Sequence, residues 1–170
     1  MLKMAAVPTN SQISQHLHNA HFCDAFQISL TPCKRTALEI YLEVISKTPV
    51  WISFLMALRN RASPMFGIKN LEGIHQICAN KKPNEYIAGD RIGIFTIHSI
   101  TDDEVILADS DRHLDAKVSI CKSLSGSDTT VTVSTVVHVH NLLGHIYMLF
   151  VTPFHKRIAA EGLDHSETRH

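Results

Sequence analysis

The sequence predicts an α+β domain in which a curved antiparallel sheet packs on a long C-terminal helix. Two or three short helices are expected between the first and second strands. Three observations carry this reading. An alternating, β-branched stretch, SDTTVTVSTVVHVH, runs straight into an apolar stretch of helical period, NLLGHIYMLFVTPFHKRI. The pair Thr-Pro occurs at Thr31-Pro32 and again at Thr48-Pro49, each a helix start with proline tolerated in the first turn. From Gly89 onward the apolar period changes from helical to two. Strands that alternate with solvent and helices gathered on one face describe an α+β layer.

Taken in order, residues 1–21 are polar, histidine-bearing and aperiodic, and are expected to form a flexible arm. Phe22–Leu30 is the first strand, with Phe22, Ala25 or Phe26, and Ile28 competing for the core. Leu38, Tyr41, Leu42 and Ile45 form the apolar face of the first helix. The second helix carries Trp51, Phe54, Leu55 and Leu58, and Ser63-Pro64 and Gly67 close it. A further short helix is expected over Leu71–Ala79, and KKPNEY is a surface loop. RIGIFTIHSI, a TDDE turn and VILADSD read as a hairpin. The next strand sets Leu114, Ala116, Val118 and Ile120 against His113, Asp115, Lys117 and Ser119.

The last strand puts Val131, Val133, Thr135, Val137 and Val139 on one face. Thr130, Thr132, Ser134, Val136, His138 and His140 fall on the other, which reads as solvent-facing. Asn141 is the expected N-cap. Leu143, Ile146, Tyr147, Phe150, Phe154 and Ile158 continue as one stripe, kinked at Pro153 and stopped near Gly162. The organisation predicted is an arm at 1–21, one domain at 22–162 and a tail at 163–170.

Hydrophobic residues make up 45% and charged residues 19% of the 170, which is ordinary for a globular chain with a proper core. Formal charge is zero, so the total argues against a nucleic-acid partner. The longest apolar run, Ile146–Val151, falls far short of the ~20 residues of a membrane span, and MLKMAAVPTN does not read as a secretory signal. A cytoplasmic location is expected. Cys23, Cys33, Cys78 and Cys121 are widely spaced without C-x-x-C, which suits reduced, mostly buried thiols.

Four strings carry a family resemblance: TPVWISFLMALRNR, GDRIGIF, DRHLDAKVSI and VHNLLG…PFHKRI. In this order they resemble an uncharacterised bacterial domain-of-unknown-function family grouped with the START and birch-pollen-allergen helix-grip superfamily (SRPBCC), over roughly Ala20 to Ala160. The resemblance implies a helix-grip fold, the long C-terminal helix lying across the curved sheet. Superfamily members often hold lipids, polyketides or other apolar molecules in the cavity, and a few are cyclases or hydrolases. Relatives are also fused to reductases with a nucleotide-binding domain, whose G-x-G-x-x-G signature is absent here.

Three functions follow as expectations. The first is a non-enzymatic binding module for a small apolar or amphipathic ligand held between sheet and helix. Its contacts would be Trp51, Phe54, Phe95, Arg112, His140, Asn141, Tyr147 and Phe150, with Met56 and Met148 as further lining. The second is a small hydrolase- or cyclase-like enzyme in which His113 and Asp115 form an oriented acid–base pair and Arg112 fixes a carboxylate or phosphate. The duller role for Asp90, Arg91, Arg112, His113, Asp115, His140 and Asn141 is a capping and ion-pair network. The third is an interaction module for a separate reductase-like protein, or a homo-oligomer. Arg59 and Arg61 read as solvated helix-end charges. His138 and His140 share a strand face, with His145 a turn beyond, but lack a third ligand type nearby. No metal and no cofactor are expected.

Overall fold

A computed structural model of the chain describes residues 3–30, 32–46, 81–125, 128–145 and 148. Seven strands among them form one antiparallel sheet: β1 (Lys3–Met4), β2 (Phe22–Leu30), β3 (Arg91–Ile92), β4 (Phe95–Ile100), β5 (Glu104–Ser110), β6 (Leu114–Ser125) and β7 (Asp128–Val139). Their order across the sheet is β1-β2-β7-β6-β5-β4-β3. One helix of seven residues or more is present among the described residues, α1 (Ala37–Ser46). The chain therefore enters at one edge, crosses to the far edge after α1, and returns as a five-strand meander that ends beside β2.

Local chemistry explains the elements. Thr36 caps α1 reciprocally with Glu39: the Thr36 amide donates to Glu39 Oε2 (2.7 Å) and the Glu39 amide to Thr36 Oγ1 (3.2 Å). The helix thus begins after Thr36 rather than at Thr31-Pro32. Gly93 has a φ of 66°, which permits the two-residue turn that pairs Ile92 with Phe95. That turn divides RIGIFTIHSI into β3 and β4, where the alternation alone predicts one strand. Thr101 closes the next turn, its Oγ1 accepting the Glu104 amide at 2.9 Å.

Both faces of the sheet are covered. On one, Leu38, Ile40 and Tyr41 of α1 pack with Phe26, Ile28, Val105, Leu107, Ile120 and Val131. Further along this face Leu114, Val137 and Val139 form a smaller cluster with Phe22, Ala116 and Met148 against it. The opposite face, expected to meet solvent, is also buried: Thr130, Thr132 and Ser134 are 6%, 4% and 0% exposed. Residues 5–20 lie over it as a strap. The strap's 3-10 turn, Gln12–His16, buries Ile13 against Ile106 and Val136, with Val7 and Ala20 alongside.

Magnitudes show what holds the strap. Burying three aliphatic side chains contributes about 2 kcal/mol each. Ordering a five-residue turn costs about 1–2 kcal/mol per residue, so the apolar contact roughly cancels. Polar contacts to the sheet must decide the balance. Glu104, 5% exposed, supplies them: it accepts from Ser11 Oγ, from the Gln12 amide at 2.8 Å and from Ser119 Oγ at 2.6 Å. At the edge, β1 pairs with β2 and the Ala5 amide donates to Ala25 O.

This architecture corrects the predicted class. The protein has a mostly-sheet fold, a seven-stranded open antiparallel sheet with one helix of seven or more residues among those described. It is not an α+β helix-grip: among the described residues no long C-terminal helix is packed on the sheet. What the described residues build is a sheet centred on β7, whose twelve residues pair with β2 on one side and β6 on the other. Val131 and Val133 join the core under α1, Val137 and Val139 pack with Leu114 and Met148, and the strap crosses the opposite face. The stripe from 146 to 158 beyond the first helical turn at 142–145 lies outside the described residues, Met148 excepted, as do Pro153 and Gly162. The second Thr-Pro helix and the one expected over 71–79 also lie outside them.

Candidate functional site

The β5–β6 turn gathers most of the polar residues singled out above. Asp111 folds it: Asp111 Oδ1 accepts the amides of His113 (2.6 Å) and Leu114 (3.0 Å). Arg112 is thereby left exposed at the tip, while His113 turns inward to 8% exposure. Arg112 Nε donates to His113 Nε2 at 3.0 Å. His113 Nδ1 lies 3.1 Å from Asn141 Oδ1 and 3.0 Å from Asn141 Nδ2, so the Asn141 amide group faces the inner ring nitrogen. Asn141 is the N-cap that the sequence predicts, its Oδ1 accepting the Gly144 amide at 3.1 Å while Nδ2 donates to Arg112 O.

Asp115 belongs to a neighbouring network. Its carboxylate accepts from Ser110 Oγ and lies 3.1 Å from His140 Nε2. His113 and Asp115 are thus divided between two sets of partners instead of forming one acid–base pair. Burial alone would raise the Asp115 carboxyl. The hydrogen bonds from Ser110 and His140, with the charges of His140 and Lys117, outweigh it and hold the group below its ordinary value. A carboxyl lowered on folding stabilises the protein above its unfolded value of about 3.9, and that stabilisation disappears as pH falls through the lower folded value. Asp115→Asn is therefore expected to flatten the acid limb of a thermal-stability profile below about pH 4. The effect is small, because the side chain is 34% exposed. An unchanged acid limb would show that Asp115 has no part in it.

Other histidines among the described residues tie segments together. His138 Nε2 is 3.0 Å from His18 O, and the Val139 amide donates to His21 Nδ1 at 3.1 Å. His145 Nδ1 is 3.0 Å from Asn141 O, and its ring meets the His21 ring edge-on at 5.3 Å. His138 and His140 share a face, as alternation requires, but hold different partners. Of the expected ligand contacts, Phe95 packs against the main core, and Arg112, His140 and Asn141 stand at the corner just described. Trp51, Phe54, Tyr147 and Phe150 lie outside the described residues, as do Met56, Arg59 and Arg61.

A second locality has no counterpart among the sequence-based candidates. Pro32, Cys33, Lys34, Arg35 and Glu39 line an open cleft of about 470 Å³ at the start of α1. The Cys33 amide donates to Thr129 Oγ1 of β7 (3.1 Å), and Lys122 Nζ of β6 donates to Arg35 O (3.1 Å), so two strands fix its floor. Arg35 Nε donates to Cys33 Sγ at 3.0 Å and its guanidinium pairs with Glu43. The Cys33 hydrogen bond raises the Arg35 guanidinium, with Glu43 and Glu39 adding to the effect and burial opposing it. Lys34 is exposed beside it. The only sequence signal was adjacency, Cys-Lys-Arg ahead of a capping threonine, and no spacing rule assigns that string a chemistry.

A family profile described as "Protein of unknown function (DUF2867)" matches residues 16–161. The chain belongs to this family. The match spans the strap's last turn, β2 to β7 and α1, and so includes both the polar corner and the cleft. No curated protein matches the chain. No helix among the described residues is long and apolar enough to cross a membrane.

Proposed function

We propose that this family member is a non-enzymatic binding module for a small amphipathic molecule with an anionic group, taken up in the cleft at the start of α1. The observation that carries the reading is the cleft's size and lining together. A volume of about 470 Å³ lies within the ~300–1,000 Å³ range of small-molecule sites. Lys34 and Arg35 supply positive charge, and Pro32 with the Cys33 side chain supplies an apolar wall. The arginine fork suits a carboxylate, phosphate or sulfonate, and its present pairing with Glu43 is an exposed contact that contributes little and yields readily.

The polar corner favours a structural role over catalysis. Arg112, His113 and Asn141 bind one another and the backbone, and Asp115 is occupied by Ser110 and His140. This is the arrangement that stitches a turn and a strand end to the first turn of a helix.

The test uses an amphipathic arylsulfonate dye as probe, followed by fluorescence, beside native mass spectrometry of protein purified from its own cells. Binding is expected to weaken at least tenfold, about 1.4 kcal/mol, in a Lys34→Glu/Arg35→Glu variant with unchanged thermal stability. An adduct lost on denaturation should likewise be missing from that variant. Equal dye affinity in the two proteins would overturn the assignment of the cleft.

A further inference from the structure

The strap side of the sheet carries a band of basic side chains unrelated to the cleft. The ladders place Arg91, Thr96, Ala108, Lys117 and Val136 on one rung running across β3, β4, β5, β6 and β7. Directly opposed residues share a face, so Arg91 and Lys117 lie on the same side, with only the small side chains of Thr96 and Ala108 between them. The next rung adds His138 opposite Asp115. At β4 the register shifts between Ile97 and Ser99, and His98, at that irregularity, is exposed. The strap brings His16 onto the same area, its ring edge-on to His98 at 5.6 Å. His138 is anchored to the strap through His18 O.

We infer that this band is a binding site for a small oxyanion, a carboxylate, sulfate or phosphate group, which bridges the strap to the sheet when His16 is protonated. Arg91 and Lys117 supply cationic side chains, the imidazole rings of His98 and His138 stand beside them, and His16 on the strap is the histidine whose charge depends on this surrounding. The carboxylates within two rungs of Lys117 on this face are already engaged: Glu104 by Ser11, Gln12 and Ser119, and Asp115 by Ser110 and His140. A metal reading is not favoured, because no group of three or more His, Cys, Asp or Glu among the described residues is disposed to hold one.

The groups facing this area come from every element. The strap gives His16 and His18, β3 gives Arg91, β4 gives His98, and β5 gives Glu104. Strand β6 gives Asp115, Lys117 and Cys121, while β7 gives His138 and, beyond it, His140. The edge contributes Cys23 of β2 and Lys3 of β1, and Asp128 lies at the far end of β7. The two thiols stay uncharged: burial, then Asp24, raises Cys23, and burial, then Glu104 and Asp103, pushes Cys121 up to about 11 against a small opposing effect of Ser11. The positive field is felt by His16. Burial and then repulsion from Lys117, His98 and His138 hold its ring below the ordinary histidine value. A histidine lowered on folding contributes stability at neutral pH that is lost as pH drops below the unfolded value of about 6.5. An oxyanion seated beside His16 reverses the sign, because it favours the charged form of that ring.

Sulfate is the suitable probe, since its charge is constant between pH 5 and 8. At matched ionic strength with chloride as control, sulfate is expected to bind at least tenfold more tightly at pH 5.5 than at pH 8.0. It should also slow amide exchange across residues 5–20 at the lower pH. His98→Asn and Lys117→Gln, both outside the main core, should each weaken binding at pH 5.5 by at least threefold while leaving the fold at pH 8.0 intact. Sulfate affinity equal at the two pH values, or equal in wild type and both variants, would overturn the inference.

Discussion

Glu104→Ala should cost about 3–5 kcal/mol, a large share of the ~5–15 kcal/mol by which a domain is stable. The substitution leaves Ser11 Oγ, the Gln12 amide and Ser119 Oγ without their common acceptor. Ser11 and Ser119 are 2% and 0% exposed, so each loss approaches the ~1–3 kcal/mol of an unsatisfied buried group. The apolar contacts of the strap do not compensate, since they only balance the entropy of ordering its five-residue turn. The loss should therefore be local before it is global. Amides of residues 11–16 are expected to exchange at least tenfold faster in the variant, and the midpoint of urea unfolding should fall with an unchanged slope. Glu104→Gln keeps one acceptor oxygen and should lose about half as much. A midpoint within error of wild type would mean that Glu104 is not what fastens the strap.

The second large effect runs against helix propensity. Gly144 lies in the helical turn after Asn141, where alanine would ordinarily gain about 1 kcal/mol. A β-carbon there would press on the His113 carbonyl oxygen and come within 2.7 Å of Val139 Cγ1. The carbonyl cannot retreat freely, because it accepts the His140 amide at 2.8 Å. Overpacking against backbone costs about 1–3 kcal/mol, so after the helix-propensity gain the net change for Gly144→Ala is expected to be a loss of about 1 kcal/mol. For a chain of this length that lowers the melting temperature by roughly 2–4 °C. A variant at least as stable as wild type would show that the turn can shift away from His113.

These two residues mark where the sequence was readable. The alternations of β2, β6 and β7 announce strands, and they set Val131 and Ile120 on apolar faces that are buried, whereas in β2 Ala25 and Phe26 compete for the core and both are buried. The faces of β7 were separable by period, but the exposure of the second face was not. Thr130, Thr132 and Ser134 look like a wet surface but are buried, on the face where Ile13 and Val7 of the strap pack with Ile106 and Val136, and strap contacts some hundred residues distant leave no local period. Glu104 was hidden for a related reason, since in TDDE it reads as a solvated turn acid. Strands of two residues, β1 and β3, are too short to alternate at all. The predicted class failed on a different ground: an apolar helical stripe specifies that something must cover it, not that it closes this sheet. At the corner, the residue types were legible and their division into two networks was not, because Asp111 decides which way His113 turns.

The sheet order also constrains how the chain can assemble. Strand β2 is made early, yet its neighbour is β7, whose register joins Leu30 to Thr129 and Phe22 to Val137. Partners separated by about a hundred residues must meet before the edge formed by β1 and β2 can join the meander, and long-range pairings of this kind are slow. Strands β3 to β6 need only hairpin contacts and can form first. While β7 is unpaired on one side, the outer edge of the meander is an open row of backbone donors and acceptors, so the interval before β2 docks is the period in which self-association competes with folding.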